Sequence, residues 1–187
     1  GYIYQIRFAL AHLMRQDDES SSLLIEADDD VQVKDVNGKD TLISLKHKQE
    51  GETVGNLSVD FWKSVRIWLD RYKRDGKLAC SHAYCMATTA RVGPKSMLKH
   101  FLDGAEPKPA DFVAKLHAEL QTSSTELSKE ISASMAGLSD VELGDFFSRI
   151  VIADCSLRIN ELEAAIASHL KSVPIKANIK QQFDIFS

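Results

Sequence analysis

Two periodicities of apolar residues alternate along this chain and predict an α/β fold. Apolar positions three and four residues apart predict a helix over residues 2–15, with Ile3, Ile6, Leu10 and Leu13 on one stripe, and a second helix from the N-cap Ser58 to about residue 74. Alternating or continuous apolar runs predict strands at about 22–26, 30–36, 41–48 and 78–90. The last of these is apolar with few charges, which is typical of a central strand.

The second half of the chain is mainly helical by the same criteria. A helix from Pro94 through Leu102 precedes a linker at 103–109, and a possible short strand lies at Ile150–Ala153. The remaining helices are expected at 109–121, 124–136, 139–148, 157–172 and 175–186. Residues 1–104 are therefore interpreted as the core and 105–187 as a mainly helical C-terminal part of the same domain.

Composition excludes some classes of protein without selecting one. The 187 residues are 44% hydrophobic and 27% charged, as in ordinary globular proteins, and neither a membrane span nor a signal peptide is recognisable. The three cysteines have no C-x-x-C spacing, which indicates a reducing cytoplasm. Because the chain begins with Gly1 and stops within an apolar helical pattern, we expect a fragment whose partner or sensor domain follows residue 187.

Candidate chemistry is concentrated between residues 22 and 48. A short apolar run ends in Glu26, followed by Asp28, Asp29 and Asp30, and Asn37-Gly38 is a hairpin signal. On the next strand, Leu42, Ser44 and Lys46 share one face, while Ile43 and Leu45 share the other. Carboxylates are thus expected beside an ammonium group, an arrangement typical of divalent-metal nucleases, in which the metal polarises phosphate.

The order of these residues resembles the PD-(D/E)xK nuclease superfamily. A closer resemblance is to the double-stranded-DNA endonuclease domain at the N-terminus of bacterial anti-phage effectors, including those associated with CD-NTases. The matching residues are Gly1, Tyr2, Tyr4 and Gln5, then Glu26, Asp29, Asp30 and Val31, then Lys46 and His47, and finally Trp62, Lys63 and Trp68. The chain departs from the pattern at Ser44, where the family has Gln and the wider superfamily an acid.

The resemblance implies a fold, a reaction and a set of roles. The fold would be a restriction-endonuclease-like core, a mixed sheet flanked by helices, and the activity cleavage of double-stranded DNA with Mg2+ or Mn2+ in antiviral defence, by a homo-oligomer when active. Asp30 is the first candidate for metal ligand, because it directly precedes a strand as the superfamily Asp does, and Asp29 is the second. The further candidate ligands are Glu26, the Leu45 carbonyl and, weakly, Ser44. Lys46 would be catalytic with these acids, and Gln5 would reach the site from the first helix.

Hairpin register could separate the two aspartates. A two-residue loop places Asp29 across from Lys46, whereas a three-residue loop places Asp30 there, and the sequence leaves both open. The structural alternatives also stay open: three adjacent aspartates are often a solvated loop, and a strand lysine can protect a sheet edge.

Charge mapped along the chain reconciles a net charge of −4 with binding to DNA. Seven acids and no Lys or Arg fall in residues 17–30, whereas residues 31–77 carry ten bases against seven acids. A metal site requires concentrated negative charge, and a phosphate-facing surface around it requires positive charge. We therefore expect Lys48, Lys63 and Arg66 to contact DNA.

Other polar and aromatic positions have blander interpretations. We expect His47 to be structural, and Trp62, Trp68 and Tyr72 to belong to the core rather than to stack on bases. The histidines and cysteines show no zinc spacing. Because Ser44 replaces the usual partner, the competing hypothesis is a catalytically degenerate nuclease fold that binds DNA or mediates assembly.

Overall fold

The fold is α/β, a five-stranded mixed sheet flanked by helices, consistent with a restriction-endonuclease-like core. A computed structural model describes residues 2–14, 22–25, 30–34 and 39–172. Within these ranges the helices are α1 Tyr2–Met14, α2 Val59–Arg74, α3 Phe112–Gln121, α4 Glu126–Ala136, α5 Asp140–Ser148 and α6 Ile159–Ser172. The strands are β1 Ser22–Ile25, β2 Val31–Lys34, β3 Asp40–Lys46, β4 Thr53–Val54, β5 Ala83–Thr88, β6 Arg91–Val92 and β7 Ile150–Ala153.

The main sheet has the order β1-β2-β3-β5-β7. The first three strands form an antiparallel meander, whereas β3, β5 and β7 run parallel to one another. The apolar strand β5 therefore lies inside the sheet, as its composition predicts. Because β7 comes from the second half of the chain, that half completes the sheet.

Alternation along β3 divides the interior between the two sheet faces. Leu42 joins the larger core with Trp68 of α2 and Met86 of β5, while Ile43 and Leu45 join a smaller core. The smaller core also contains apolar side chains from α1, β2 and α6: Tyr4, Val31 and Leu162. Burying one large apolar side chain stabilises the fold by roughly 1.5–3 kcal/mol, so both faces contribute. The predicted division of β3 into two faces is confirmed.

The buried face of α2 is as predicted, with Phe61, Val65, Trp68 and Tyr72 in the core. The stripe predicted for α1 is wrong. Its buried residues are Tyr4, Ala9 and Ala11, whereas Ile3, Ile6, Leu10 and Leu13 are exposed. Small alanines permit close packing of α1, and the Tyr4 hydroxyl donates to the Leu157 carbonyl over 2.9 Å.

Two predicted elements are shorter than their patterns indicate. Residues 78–82 are not part of a strand, because Gly76, with φ of 93°, ends α2 and leads into a 3₁₀ turn at Lys77–Ala79. The segment after Pro94 forms a 3₁₀ helix, Met97–Phe101, rather than an α-helix. The helix predicted at 175–186 and the turn at Asn37-Gly38 lie outside the described residues.

The register of the β2–β3 pair differs from both alternatives considered for it. Lys34 pairs with Asp40 and Val31 pairs with Ile43, so the next position along the ladder sets Asp30 opposite Ser44 rather than opposite Lys46. The reason is the length of the connection, since residues 35–39 separate the last paired positions instead of two or three residues. None of the described helices is long and apolar enough to cross a lipid bilayer.

Candidate functional site

Three separate elements meet at the carboxyl end of β3. Asp30 lies directly before β2, Lys46 is the last residue of β3, and Gln5 lies in the first half of α1. Because β2 runs antiparallel to β3, the start of one strand lies beside the end of the other. The sheet therefore brings together an acid, a base and an amide that are distant in sequence.

Asp30 is the centre of this arrangement. Its Oδ1 accepts a hydrogen bond from Gln5 Nε2 at 2.5 Å, and its Oδ2 accepts one from the Leu45 backbone N–H at 2.7 Å. The Lys46 ammonium lies 3.6 Å from the same Oδ2, and the two side chains are 23% and 24% exposed. The carboxylate is thus fixed in orientation by partners on two elements, and solvent still reaches it.

The oxygen atoms at this position suit a hard divalent cation. Gln5 Oε1 is buried and has no hydrogen-bond partner among the described residues. Mg2+ and Mn2+ prefer carboxylate and carbonyl oxygens, and an unpaired buried acceptor beside a carboxylate is costly unless a donor, water or cation satisfies it. Asp30 and Gln5 could therefore hold such a cation through a carboxylate oxygen and Oε1, whereas the Leu45 carbonyl stays a prediction.

Ser44 has a different partner. The residue is 1% exposed, and its hydroxyl accepts a hydrogen bond from the Ser64 hydroxyl of α2 at 2.8 Å. Ser64 also makes a 3.1 Å contact to the Asp60 carbonyl. The position that carries Gln or an acid in the resembling family thus joins the sheet to α2 in this chain.

The other two predicted ligands, Glu26 and Asp29, lie outside the described residues. They are close in sequence to Asp30 and to the end of β1, and their assignment stays a prediction.

The predicted DNA-contacting bases differ in their surroundings. Lys48 lies 2.7 Å from Asp60 and 3.9 Å from Glu52, and the hydrogen bond to Asp60 raises the pKa of Lys48. Arg66 pairs with Glu130 of α4 at 3.2 Å, while Lys63 is an exposed residue of α2. A DNA phosphate would therefore have to displace acidic partners at Lys48 and Arg66, whereas Lys63 projects from an exposed position of α2.

The backbone beside Lys46 is held firmly to the neighbouring strand. Thr89 N–H donates to the Lys46 carbonyl at 3.1 Å, and Thr89 Oγ1 accepts from the Lys48 N–H at 2.8 Å. Arg158 also donates to the Lys48 carbonyl over 3.1 Å. These bonds fix where the chain leaves β3 and hence where the Lys46 side chain starts.

The remaining aromatic and imidazole predictions concern packing. Trp62, Trp68 and Tyr72 are buried, which confirms their assignment to the core. His47 makes an edge-to-face contact with the Tyr4 ring, with centroids 5.2 Å apart, so it contributes to the packing of α1. Burial raises the pKa of Tyr4 to about 12.

Sequence reasoning missed one group of metal-binding residue types. Asp75, Cys80 and His82 offer ligand atoms that all lie within 4.8 Å of one another. Their spacing matches no zinc motif, and the segment was assigned to a strand. The signal available in the sequence was a Cys-x-His pair directly before an apolar strand, with an aspartate at the preceding helix end.

No protein-family model matches the chain, and a search of curated proteins returns no significant match.

Proposed function

We propose that this chain is a Mg2+- or Mn2+-dependent endonuclease of double-stranded DNA, acting as a cytoplasmic effector domain in bacterial anti-phage defence. The observation that carries the proposal is the contact of Asp30 with Lys46 and Gln5 at the carboxyl end of β3. Along the chain, the Gln5 amide, the Asp30 acid and the Lys46 ammonium follow one another in the order that the PD-(D/E)xK resemblance implies. The defence role depends on the resemblance alone.

Asp30 and Gln5 Oε1 would hold the cation, with Glu26 or Asp29 completing the set of oxygen ligands. A bound cation supplies charge to polarise a phosphate and to lower the pKa of a bound water. The Lys46 ammonium would then interact both with Asp30 and with the negative charge that develops on the phosphate oxygens in the transition state. Hydrolysis forms one bond from water oxygen to phosphorus and breaks the bond to the leaving sugar oxygen, which takes up a proton.

Lys46 is suited to this role by its position. Its side chain is about a quarter exposed, so a phosphate can approach. The backbone here is fixed by two bonds, from the Leu45 N–H to Asp30 and from the Thr89 N–H to the Lys46 carbonyl. Fixed donors stabilise a transition state more effectively than mobile ones, because they need not reorganise during the reaction.

The test is cleavage of supercoiled plasmid by the purified chain in Mg2+, in Mn2+ and in excess chelator. We expect nicked and linear products only with metal, and we expect Asp30→Asn to remove them while its circular dichroism spectrum matches that of the parent. Metal-dependent cleavage by Asp30→Asn at the parental rate would refute the assignment of Asp30.

The competing function is a nuclease fold that binds DNA without cutting it. Ser44 favours this alternative, because its hydroxyl is engaged with Ser64 and supplies no charge to a metal site. Gel-shift titration separates the two: binding of duplex DNA without cleavage, in the presence of Mn2+, would support the non-catalytic module.

If activity appears only in a longer protein, a following sensor domain or assembly into a homo-oligomer would account for it, since two sites are needed to cut both strands.

A further inference from the structure

A second group of ligand-type side chains lies at the opposite end of β3 from Lys46. Asp75 follows the last residue of α2, Cys80 follows the 3₁₀ turn, and His82 directly precedes β5. Asp40, the first residue of β3, approaches the same histidine. The seven residues of β3 span about 20 Å, so this group is well separated from Asp30 and Lys46.

Two ligand atoms, from Cys80 and Asp75, approach the Nδ1 atom of His82. His82 Nδ1 lies 2.8 Å from Cys80 Sγ and 3.6 Å from Asp75 Oδ2. Ligands bound tetrahedrally to one zinc ion, with bonds of about 2.0–2.3 Å, are separated from one another by roughly 3.3–3.6 Å. The distance from Asp75 Oδ2 to His82 Nδ1 already fits this spacing. The Cys80 sulfur would have to move away from Nδ1 by less than about 1 Å.

The group is buried, so its polar atoms require hydrogen-bond partners or a bound ion. Cys80 is 5% exposed and His82 is 8% exposed. His82 Nε2 and Asp40 Oδ1 are both buried without a hydrogen-bond partner among the described residues, although Nε2 lies 3.4 Å from Asp40 Oδ2. A metal bound to His82 Nδ1 would fix the tautomer of the imidazole, because the proton would then be on Nε2. The Nε2–H group could donate a hydrogen bond to the Asp40 carboxylate. Histidine ligands usually have such a carboxylate or carbonyl behind them.

We propose that Asp75, Cys80 and His82 form a Zn2+ site, with Asp40 as the carboxylate that orients His82. Thiolate and imidazole ligands favour zinc over Mg2+ or Ca2+, which prefer oxygen. A thiolate and a carboxylate together balance the charge of the ion. Water completes the four ligands on the side of Asp75, whose side chain is 22% exposed.

Three arginines lie near the site, and one of them, Arg74, places its Nε 3.5 Å from Asp75 Oδ1. Arg149 bonds to Asp145 through its Nε at 2.9 Å, and it donates to the backbone carbonyls of Cys80 and His82. Arg149 thereby shapes the loop that presents the two ligands. Arg71 contacts Asp75 Oδ2, and a carboxylate oxygen has two lone pairs, so the same oxygen can accept this bond and ligate a metal.

The consequence of zinc at this position would be structural. The ion would join the end of α2 to the entry of the central strand β5 and, through Asp40, to the start of β3. Since metal binding to a preformed site contributes directly to folding free energy, its removal should lower stability.

The decisive experiment uses the purified 187-residue chain, first for metal content and then for titration of the metal-free protein with Zn2+ and Co2+. We expect one zinc per chain, a higher midpoint of thermal unfolding with zinc, and a cobalt–thiolate charge-transfer absorption in the near ultraviolet. Cys80→Ser should abolish that absorption, whereas Cys155→Ser, which alters an exposed cysteine, should preserve it.

Asp40→Asn keeps all three ligands, so it should retain the absorption while zinc affinity falls roughly 10- to 100-fold. This variant keeps the test informative if Cys80→Ser fails to fold. Asp30→Asn should leave zinc content unchanged, which separates this site from the proposed nuclease site. Absence of both bound zinc and the cobalt absorption in the folded parent would overturn the proposal and leave a metal-free hydrogen-bonded cluster.

Discussion

The Lys46 ammonium lies 3.6 Å from Asp30 Oδ2, although a strand and a chain reversal separate the two residues in sequence. Both side chains are about a quarter exposed, so the ion pair is neither fully exposed nor fully buried. A phosphate and a cation could therefore compete for the two charges. This contact is the basis for the first prediction.

Lys46→Ala should abolish metal-dependent cleavage of duplex DNA and leave the fold intact. The side chain fills no apolar cavity, and losing a partly exposed ion pair costs only about 1 kcal/mol. Lys34→Ala is the matched control, because Lys34 is an exposed lysine on the adjacent strand β2. Equal initial rates of plasmid nicking for Lys46→Ala and the parent would remove Lys46 from the mechanism.

Gln5→Glu should increase the dependence of stability on Mg2+. The new carboxylate would lie beside Asp30, whose Oδ1 now accepts a bond from Gln5 Nε2 at 2.5 Å, so repulsion would destabilise the metal-free protein. A cation between the two carboxylates would reverse that loss. Thermal unfolding with and without Mg2+ measures the effect, and Gln32→Glu, on the neighbouring strand, tests whether any added acid suffices. A Mg2+ response no larger than that of the parent would place Gln5 away from the cation.

Ser44→Ala should leave metal affinity unchanged and lower the free energy of unfolding by about 1 kcal/mol, the usual contribution of one hydrogen bond. The reason is that the Ser44 hydroxyl bonds to Ser64, which keeps its contact with the Asp60 carbonyl after the substitution. Calorimetric titration with Mn2+ and urea unfolding provide the two measurements. A clear loss of Mn2+ affinity would instead make Ser44 part of the metal site.

The free energy of unfolding should fall at alkaline pH, and the fall should be smaller in Tyr4→Phe than in the parent. Burial raises the pKa of Tyr4 to about 12 from 10.0, so its contribution is complete below pH 10 and is lost as pH rises through about 12. The full loss is about 3 kcal/mol, because one pKa unit corresponds to 1.36 kcal/mol. The variant itself loses the bond to the Leu157 carbonyl, about 1 kcal/mol.

Urea unfolding of both proteins at pH 8.5 and pH 11 would measure the difference, with other titrating tyrosines common to both. Parallel pH profiles for parent and Tyr4→Phe would contradict the assignment.

Sequence periodicity predicted the class of fold because β3, β5 and α2 carry strong and unambiguous patterns. It failed on α1, where a stripe of larger apolar residues was expected to be buried and Tyr4, Ala9 and Ala11 are buried instead. Hydrophobicity alone does not report how closely a helix can approach its neighbours. The Cys80–His82 segment was likewise assigned to strand, because its local composition does not reveal that the chain after Gly76 first forms the 3₁₀ turn Lys77–Ala79.

The site was predictable to the level of residue types. Asp30 and Lys46 were named from their order along the chain and Gln5 from the family resemblance, and in the structure Asp30 contacts each of the other two. The partner of Ser44 was not predictable, since it depends on how α2 crosses the sheet. Hairpin register was also missed, because loop length between β2 and β3 sets it and the Asn-Gly signal suggested a shorter loop.

Placement of β5 between β3 and β7 has a consequence for synthesis of the protein. β5 ends at Thr88, while its second hydrogen-bonding partner begins only at Ile150. Until the ribosome has delivered β7, one side of an apolar strand has unpaired N–H and C=O groups, which can pair with another nascent chain. Truncation before residue 150 would make that exposure permanent, so shortened forms ending in α5 should aggregate rather than fold.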